Sequence, residues 1–286
     1  EMRFDNSAIL AVQYCHRHQV PGRDYRVYDQ YRDEKGDPKS PQRPMLLGPV
    51  FASAASGSIP SGRFKGKMII VQNMNDGGAF PWHADWYRNK AKQYLGDGVD
   101  KNLRIWYTDH ANHGDYPSQP EPTKDIVYLG VLQQALRDLS AWVEKGIEPP
   151  LSTDYQLVNG QVILPENAQS RRGIQPVALV KADGKERAEV KAGTAVTLEA
   201  IIQVPDRGGN IVSASWNFEG ESGFAAVSDI NKHSTSDHSV KIKVTHVFKN
   251  PGTFFPTVLV ASQRDGDAKT PFARVQNLGS ARVVVK

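Results

Sequence analysis

Residues 69–81 read IIVQNMNDGGAFP, and residues 103–115 read LRIWYTDHANHGD. The first begins as a run of consecutive apolar residues and the second as a strand-like run, and each breaks into a loop rich in Asn, Asp and Gly. An uninterrupted apolar run of this length predicts a strand buried on both faces, the habit of parallel rather than antiparallel sheets. Between the two runs lies WHADWYRNKAKQYL, residues 82–95, where Pro81 stands at a helix start and Trp82, Trp86 and Tyr94 are expected on its inward face. A second helix is expected from about Thr123 to Lys145. Leu129, Leu132, Leu136, Leu139 and Val143 recur along it at steps of three and four as its packing face, and Gly146 and Pro149-Pro150 close it. Strand, helix, strand, helix is the order of an α/β layer.

Upstream, Ser7 to Val20 predicts a buried helix ended by Pro21-Gly22, and DYRVYDQYRDEKGDPKSPQRP, residues 24–44, reads as a polar excursion over the surface. Downstream of Pro150 the pattern changes. LSTDYQLVNGQVILPENAQSRRG, residues 151–173, holds an Asn-Gly hairpin signal and then a polar linker. From Ile174 the sequence alternates in short stretches such as TAVTLEAIIQV, HSVKIKVTHVF and ARVVVK, divided by Gly, Pro, Asp and Asn turns. That spacing predicts an antiparallel sandwich. The expected domains are residues 1–150, a linker with a short hairpin over 151–173, and an all-β domain over 174–286.

Bulk composition bounds the function. With 35 Lys and Arg against 31 Asp and Glu, the net charge of +4 is a small excess of interspersed charges, which argues against nucleic acid as a partner. No apolar run approaches the roughly 20 residues that span a bilayer, so no membrane span is expected. A single cysteine, Cys15, excludes an internal disulfide framework and a cysteine-based zinc site, and its place on an apolar helical face reads as an inert core thiol. The opening Glu-Met-Arg leads straight into helix-like sequence, the expectation being a processed or partial product.

Chemistry concentrates in the two loops. His113, beside Gly114 and just past the second strand, could be a catalytic base, a metal ligand or a surface residue, and Asp76 lies in the loop past the first. Loops at the carboxyl ends of neighbouring parallel strands converge on one crevice, which suits a carboxylate that orients an imidazole. His110 competes with His113, as Asp85 and Asp109 compete with Asp76. Asp85 falls inside the predicted helix, and Asp109 adjoins the base in sequence. His110, His113 and Asp115 form H-x-x-H-x-D, but no third distant ligand is evident, so no metal and no cofactor is expected. Trp82, His83, Trp86 and Trp106 read as packing aromatics, with Trp82 or His83 placed to line a substrate pocket.

Two resemblances follow from these residues. SWNFEG (215–220) and VTHVFKNPGTFFPTVLVAS (244–262) resemble the polycystic-kidney-disease (PKD) immunoglobulin-like module, with its Trp-Asp-Phe-Gly strand end and later His and Pro-Gly-Thr-Tyr strand. Asn217 and Glu219 stand where that pattern has Asp and Gly. The resemblance implies Trp216 as the buried inter-sheet aromatic, Pro251-Gly252 as a turn, Phe254, Val258 and Val260 as inward residues, and His246 as structural. The first 150 residues resemble the C-terminal part of an α/β-hydrolase, in which an acid follows one strand and His-Gly follows the next. That implies a partial α/β-hydrolase sheet with flanking helices, with Asp76 and His113 as two members of a Ser-His-Asp triad.

In that family the nucleophile precedes the acid in a Gly-x-Ser-x-Gly elbow. SAASGSIPSG, residues 53–62, has serines and glycines in the wrong register for one. The resemblance therefore implies that the serine lies on an N-terminal segment of the same precursor, either cleaved away, retained as an associated chain or simply outside this sequence. The apolar edge of half a parallel sheet favours an associated partner. The implied function is a secreted serine hydrolase, an esterase or peptidase acting on a small-molecule or polymeric ester, complete only with that segment and located outside the cell or in the periplasm. The alternative is a non-catalytic extracellular binding or assembly protein built on a hydrolase-like scaffold and a β-sandwich.

Overall fold

The structure is a computed structural model that describes residues 17–20, 23, 26–43, 60–115, 121–220, 223–236 and 238–286. Residues 7–16 of the helix expected over Ser7–Val20, Cys15 among them, and the serine-rich stretch up to residue 59 lie outside the described residues. The chain divides into two compact units, residues 1–60 and 61–286. The boundary expected at residue 150 thus falls within the second unit, in which the α/β layer and the sandwich pack together.

In the first unit the polar excursion holds a 3-10 turn, Arg26–Tyr31, and an isolated bridge between Arg32 and Pro38. Asp33 organises the bend that follows, its carboxylate accepting from the amides of Lys35 and Asp37.

The second unit opens with strand β1 (Met68–Asn73), helix α1 (Trp82–Leu95), strand β2 (Leu103–Thr108) and helix α2 (Leu129–Lys145). β1 and β2 pair in parallel, Met68 against Leu103 through Asn73 against Thr108. Every residue of β2 is buried, Arg104 and Thr108 included. The far edge of β2 is closed by the chain after α2. Thr153 donates its amide to the Ile105 carbonyl, and the Ser152 and Thr153 hydroxyls accept from the amides of Ile105 and Tyr107. Arg104 is buried here, its guanidinium over the Trp142 ring at 4.8 Å and donating to the carbonyls of Asp100, Leu103 and Pro150. Burial pulls its pKa down while Glu148 and Asp100 push it back up.

Two packing expectations are corrected. In α1 the buried residues are Ala84 and Ala91, and Tyr94 is exposed, because a small-residue face lets the helix sit close to the sheet. In α2 the leucine row faces outward: Leu129, Leu132, Leu136 and Val143 are all exposed, while Gly130, Val131, Gln134, Ala135 and Trp142 are buried. Gly130 decides this orientation, since a Cβ there would collide with the backbone of Arg274. The helix also begins at Leu129 rather than near Thr123, and it ends at Gly146 in a left-handed conformation.

The connecting segment forms the expected hairpin, β3 (Gln156–Val158) and β4 (Gln161–Ile163). Asn159 and Gly160 between them both take positive φ, 51° and 78°, as a type I′ turn demands. A single helical turn, α3 (Ala168–Arg171), was not legible in the polar linker. Its Asn167 cap accepts from the Ser170 amide.

The sandwich comprises β5 (Val177–Ala182), β6 (Arg187–Val190), β7 (Ala195–Gln203), β8 (Asn210–Asn217), β9 (Ala225–Ala226), β10 (Ser234–Ser236), β11 (Ser239–Val247), β12 (Gly252–Phe254), β13 (Thr257–Gln263), β14 (Val275–Ser280) and β15 (Arg282–Val285). They form sheets of order β10-β11-β7-β5, β14-β13-β8-β9 and β12-β15-β6. Alternate residues Val196, Leu198, Ala200 and Ile202 of β7 meet Trp216, Val258 and Val260 in one core, with Phe254 packed at its margin. Phe218 stacks on His246 at 4.4 Å, and His246 Nε2 lies 2.8 Å from the Glu219 carboxylate, which gives that histidine a structural partner.

Candidate active site

The parallel ladder does not stop where the strands end. Met74 donates its amide to the Thr108 carbonyl, and Asn75 donates to the Ala111 carbonyl, so the loops after β1 and β2 are zipped to each other. The Asn73 side-chain amide reaches the Asn112 carbonyl at 2.8 Å, and the Asn112 side-chain oxygen accepts from the His113 amide at 2.7 Å. From the other side the Tyr128 hydroxyl donates to the His113 carbonyl at 3.1 Å, and Asp115 accepts from the Tyr128 amide. The backbone that carries His113 is therefore held at several points.

Asp76 and His113 meet across this seam. His113 Nδ1 lies 2.9 Å and 3.0 Å from the two Asp76 carboxylate oxygens. A carboxylate can only accept, so Nδ1 carries the proton and Nε2 presents a lone pair. The Asp76 side chain is 9% exposed and that of His113 is 71% exposed, so the acid is buried behind a ring that opens outward. One Asp76 oxygen also accepts from the amides of Gly78 at 2.8 Å and Ala79 at 2.7 Å. Burial works to raise the Asp76 pKa, but those two amides and His113 outweigh it and hold the group below the ordinary carboxylate value. Gly78 is part of the fit: a Cβ there would stand 3.3 Å from His113 Nδ1.

The competitors are engaged elsewhere. Asp85 lies in α1 and accepts from the Tyr155 hydroxyl at 2.7 Å. Asp109 pairs with Arg171 at 3.1 Å. His110, at a φ of 57°, places Nδ1 2.9 Å from the Asn277 side-chain oxygen. His110 and His113 thus look to different partners, and among the described residues no group of three His, Cys, Asp or Glu side chains could hold a metal ion. Nor does any hydroxyl or thiol among the described residues hydrogen-bond the His113 ring.

An open cleft of about 420 Å³ adjoins Asp76, lined by Met74, Phe80 and Trp82 on one side and by Gly160, Gln161 and Val162 of the hairpin on the other. Trp82 lines it. His83 is instead packed edge-on to the Trp82 ring at 4.1 Å, and burial lowers its pKa against the opposing pull of Asp76. Trp106 is a core residue at 1% exposure. Sequence reasoning did not find Gly78, Asn73 or Tyr128 as supports. The doubled glycine after Asp76 was the available signal for the first, whereas the reach of Tyr128 back to His113 leaves no trace in local spacing.

Comparison with known proteins bears on the sandwich. Residues 180–275 match the PKD domain family, and this part of the chain is a PKD domain with an immunoglobulin-like fold. No curated protein matches the chain. Among solved structures, the chain is similar to the PKD domain of an M14-like peptidase from Thermoplasmatales archaeon SCGC AB-540-F20, at 12% identity and a TM-score of 0.27, over 40% of this chain and 98% of that one. It is also similar to a CARDB domain from Pyrococcus furiosus, determined in complex with di-metal ions, at 11% identity and a TM-score of 0.27, over 39% of this chain and 88% of that one.

Proposed function

We propose that the α/β layer carries the acid and base of a serine hydrolase, acting on a small-molecule or polymeric ester, and that the nucleophile is supplied by an N-terminal segment of the same precursor. The observation that supports this reading is the contact of both Asp76 oxygens with His113 Nδ1 across two neighbouring strand tips. In such a pair the carboxylate fixes the tautomer and stabilises the imidazolium, while Nε2 takes a proton from a hydroxyl and returns it to the leaving group. A histidine locked as a core residue would be enclosed, but this ring is mostly open to approach. The PKD domain suits a protein that works outside the cell, and among the described residues no helix is long and apolar enough to cross a membrane.

A fluorophosphonate probe tests the reading on the protein produced together with its upstream coding sequence. Covalent labelling of a serine outside residues 1–286, lost in His113→Ala, supports the hydrolase. Absence of labelling in a folded assembly supports the non-catalytic binding reading, which the exposed leucine row of α2 also accommodates.

A further inference from the structure

The loop from Thr108 to His113 leaves the sheet at the tip of β2, and the sandwich side of the molecule binds its middle residues before the chain reaches the histidine. The Gln175 side chain pairs with Asp109 as a strand would, accepting from its amide at 2.8 Å and donating to its carbonyl at 3.0 Å. Ala111 is fully buried in one cluster with Ile126 and with Leu278 of β14. Between Asp109 and Ala111 stands His110, whose Nδ1 lies 2.9 Å from the Oδ1 of Asn277, also on β14. The Ala111 carbonyl then accepts from the Asn75 amide, next to Asp76.

Asn277 is buried, and both ends of its side-chain amide are committed. Nδ2 donates to the Pro176 carbonyl at 2.7 Å, and Oδ1 accepts from the Leu278 amide at 2.8 Å. Turning the amide over would set donor against donor and acceptor against acceptor, so Oδ1 is the atom that faces His110. His110 Nδ1 therefore carries a proton and donates it. The His110 backbone is left-handed, at a φ of 57°, a conformation that a residue with a Cβ keeps only where its surroundings hold it. Its carbonyl accepts from the Ile126 amide at 2.8 Å, at the start of the segment that leads to Tyr128 and so to the His113 carbonyl.

We infer that Asn277 is a positioning residue of the site: through His110 it sets the turn that brings His113 Nδ1 to the Asp76 carboxylate. A strand of the sandwich then belongs to the site and is no detachable neighbour of it. This inference rests on the hydrolase reading of Asp76 and His113. The two layers are also joined away from the loop, where Arg264 lies 2.9 Å from Asp138 on α2. Gln175 and Asn277 instead bind consecutive residues just ahead of His113, one of them in a backbone conformation that needs holding.

Nitrogen-15 spectra of the histidine side chains, recorded on this chain alone at neutral pH, read the position of the His113 proton without any nucleophile. Asn277→Leu removes the bonds to His110, Leu278 and Pro176 together. His110→Gly removes only the first, and glycine adopts the left-handed turn without strain. In both variants the fraction of His113 with a hydrogen-bonded proton on Nδ1 is expected to fall by more than half. His110→Asn is expected to keep it, since an asparagine Nδ2 stands where Nδ1 stood and asparagine tolerates the same backbone. Asp138→Ala breaks the remote link, and is expected to lower the urea midpoint while leaving the His113 spectrum unchanged. The inference is overturned if Asn277→Leu or His110→Gly keeps the wild-type spectrum, if His110→Asn behaves like His110→Gly, or if Asp138→Ala disturbs His113 as much. Should Asn277→Leu fail to fold, the contrast of His110→Gly with His110→Asn decides alone. The expected spectra, without probe labelling of the protein produced with its upstream coding sequence, would keep the positioning role and remove the hydrolase reading.

Discussion

At the scale of single residues, Asp76 has two tasks, closing its own loop through Gly78 and Ala79 and orienting His113. Asp76→Asn keeps the shape but turns an obligate acceptor into a group that can donate, which favours the wrong histidine tautomer. Labelling or turnover in the assembled protein is expected to fall by a factor on the order of 10³–10⁴. The same carboxylate gives a pH signature. Its pKa is lower in the folded protein than in the unfolded chain, so its contribution is fully present above the ordinary carboxylate value of about 3.9. That contribution disappears as the pH falls through the lower, folded value. The stability difference between wild type and Asp76→Asn is therefore expected to be constant at neutral pH and to shrink in acid, measured by denaturant unfolding at a series of pH values. Gly78→Ala tests the fit more gently, since the added methyl presses on the ring and is expected to reduce labelling with little change in thermal stability.

At the scale of elements, what was legible followed from period. The apolar run at 69–71 and the strand-like run at 103–107 marked β1 and β2, Asn159-Gly160 marked the hairpin turn, and strict alternation in β7 marked the sandwich core. Asp76 and His113 came from the family resemblance and not from period, and the parallel strands deliver their loops to one edge, where the two side chains meet. The faces of the helices were not. In α2 five large apolar residues mark one side, yet the contact surface goes to the side where Gly130 lets the backbone of Arg274 approach. Closeness to a backbone outweighs hydrophobicity there, and no local pattern announces it. Gly130→Ala should therefore destabilise the fold, against a gain of about 1 kcal/mol in intrinsic helix propensity. Overpacking of this kind typically costs about 1–3 kcal/mol, visible as a lower urea midpoint.

At the scale of the whole second unit, the α/β layer and the PKD domain are joined by buried polar groups that no sequence period could reveal. Arg171 reaches Asp109 at 3.1 Å, Gln175 accepts from the Asp109 amide and donates to the Asp109 and Gln276 carbonyls, and His110 meets Asn277. These contacts start from the same loop that carries His113, so the sandwich helps to hold the site. Arg171→Met leaves Asp109 without its cation. It is expected to lower stability by about 1–3 kcal/mol, less than for a fully buried pair because Asp109 is partly exposed, and to broaden a single thermal transition toward two.

The relation between Asp76 and His113 is open to direct observation in the isolated chain. Nitrogen-15 spectra of the histidine side chains at neutral pH report which ring nitrogen is protonated. The account predicts that His113 carries its proton on Nδ1, in a hydrogen bond that disappears in Asp76→Asn. A His113 ring protonated on Nε2, or indifferent to loss of the Asp76 carboxylate, would contradict it.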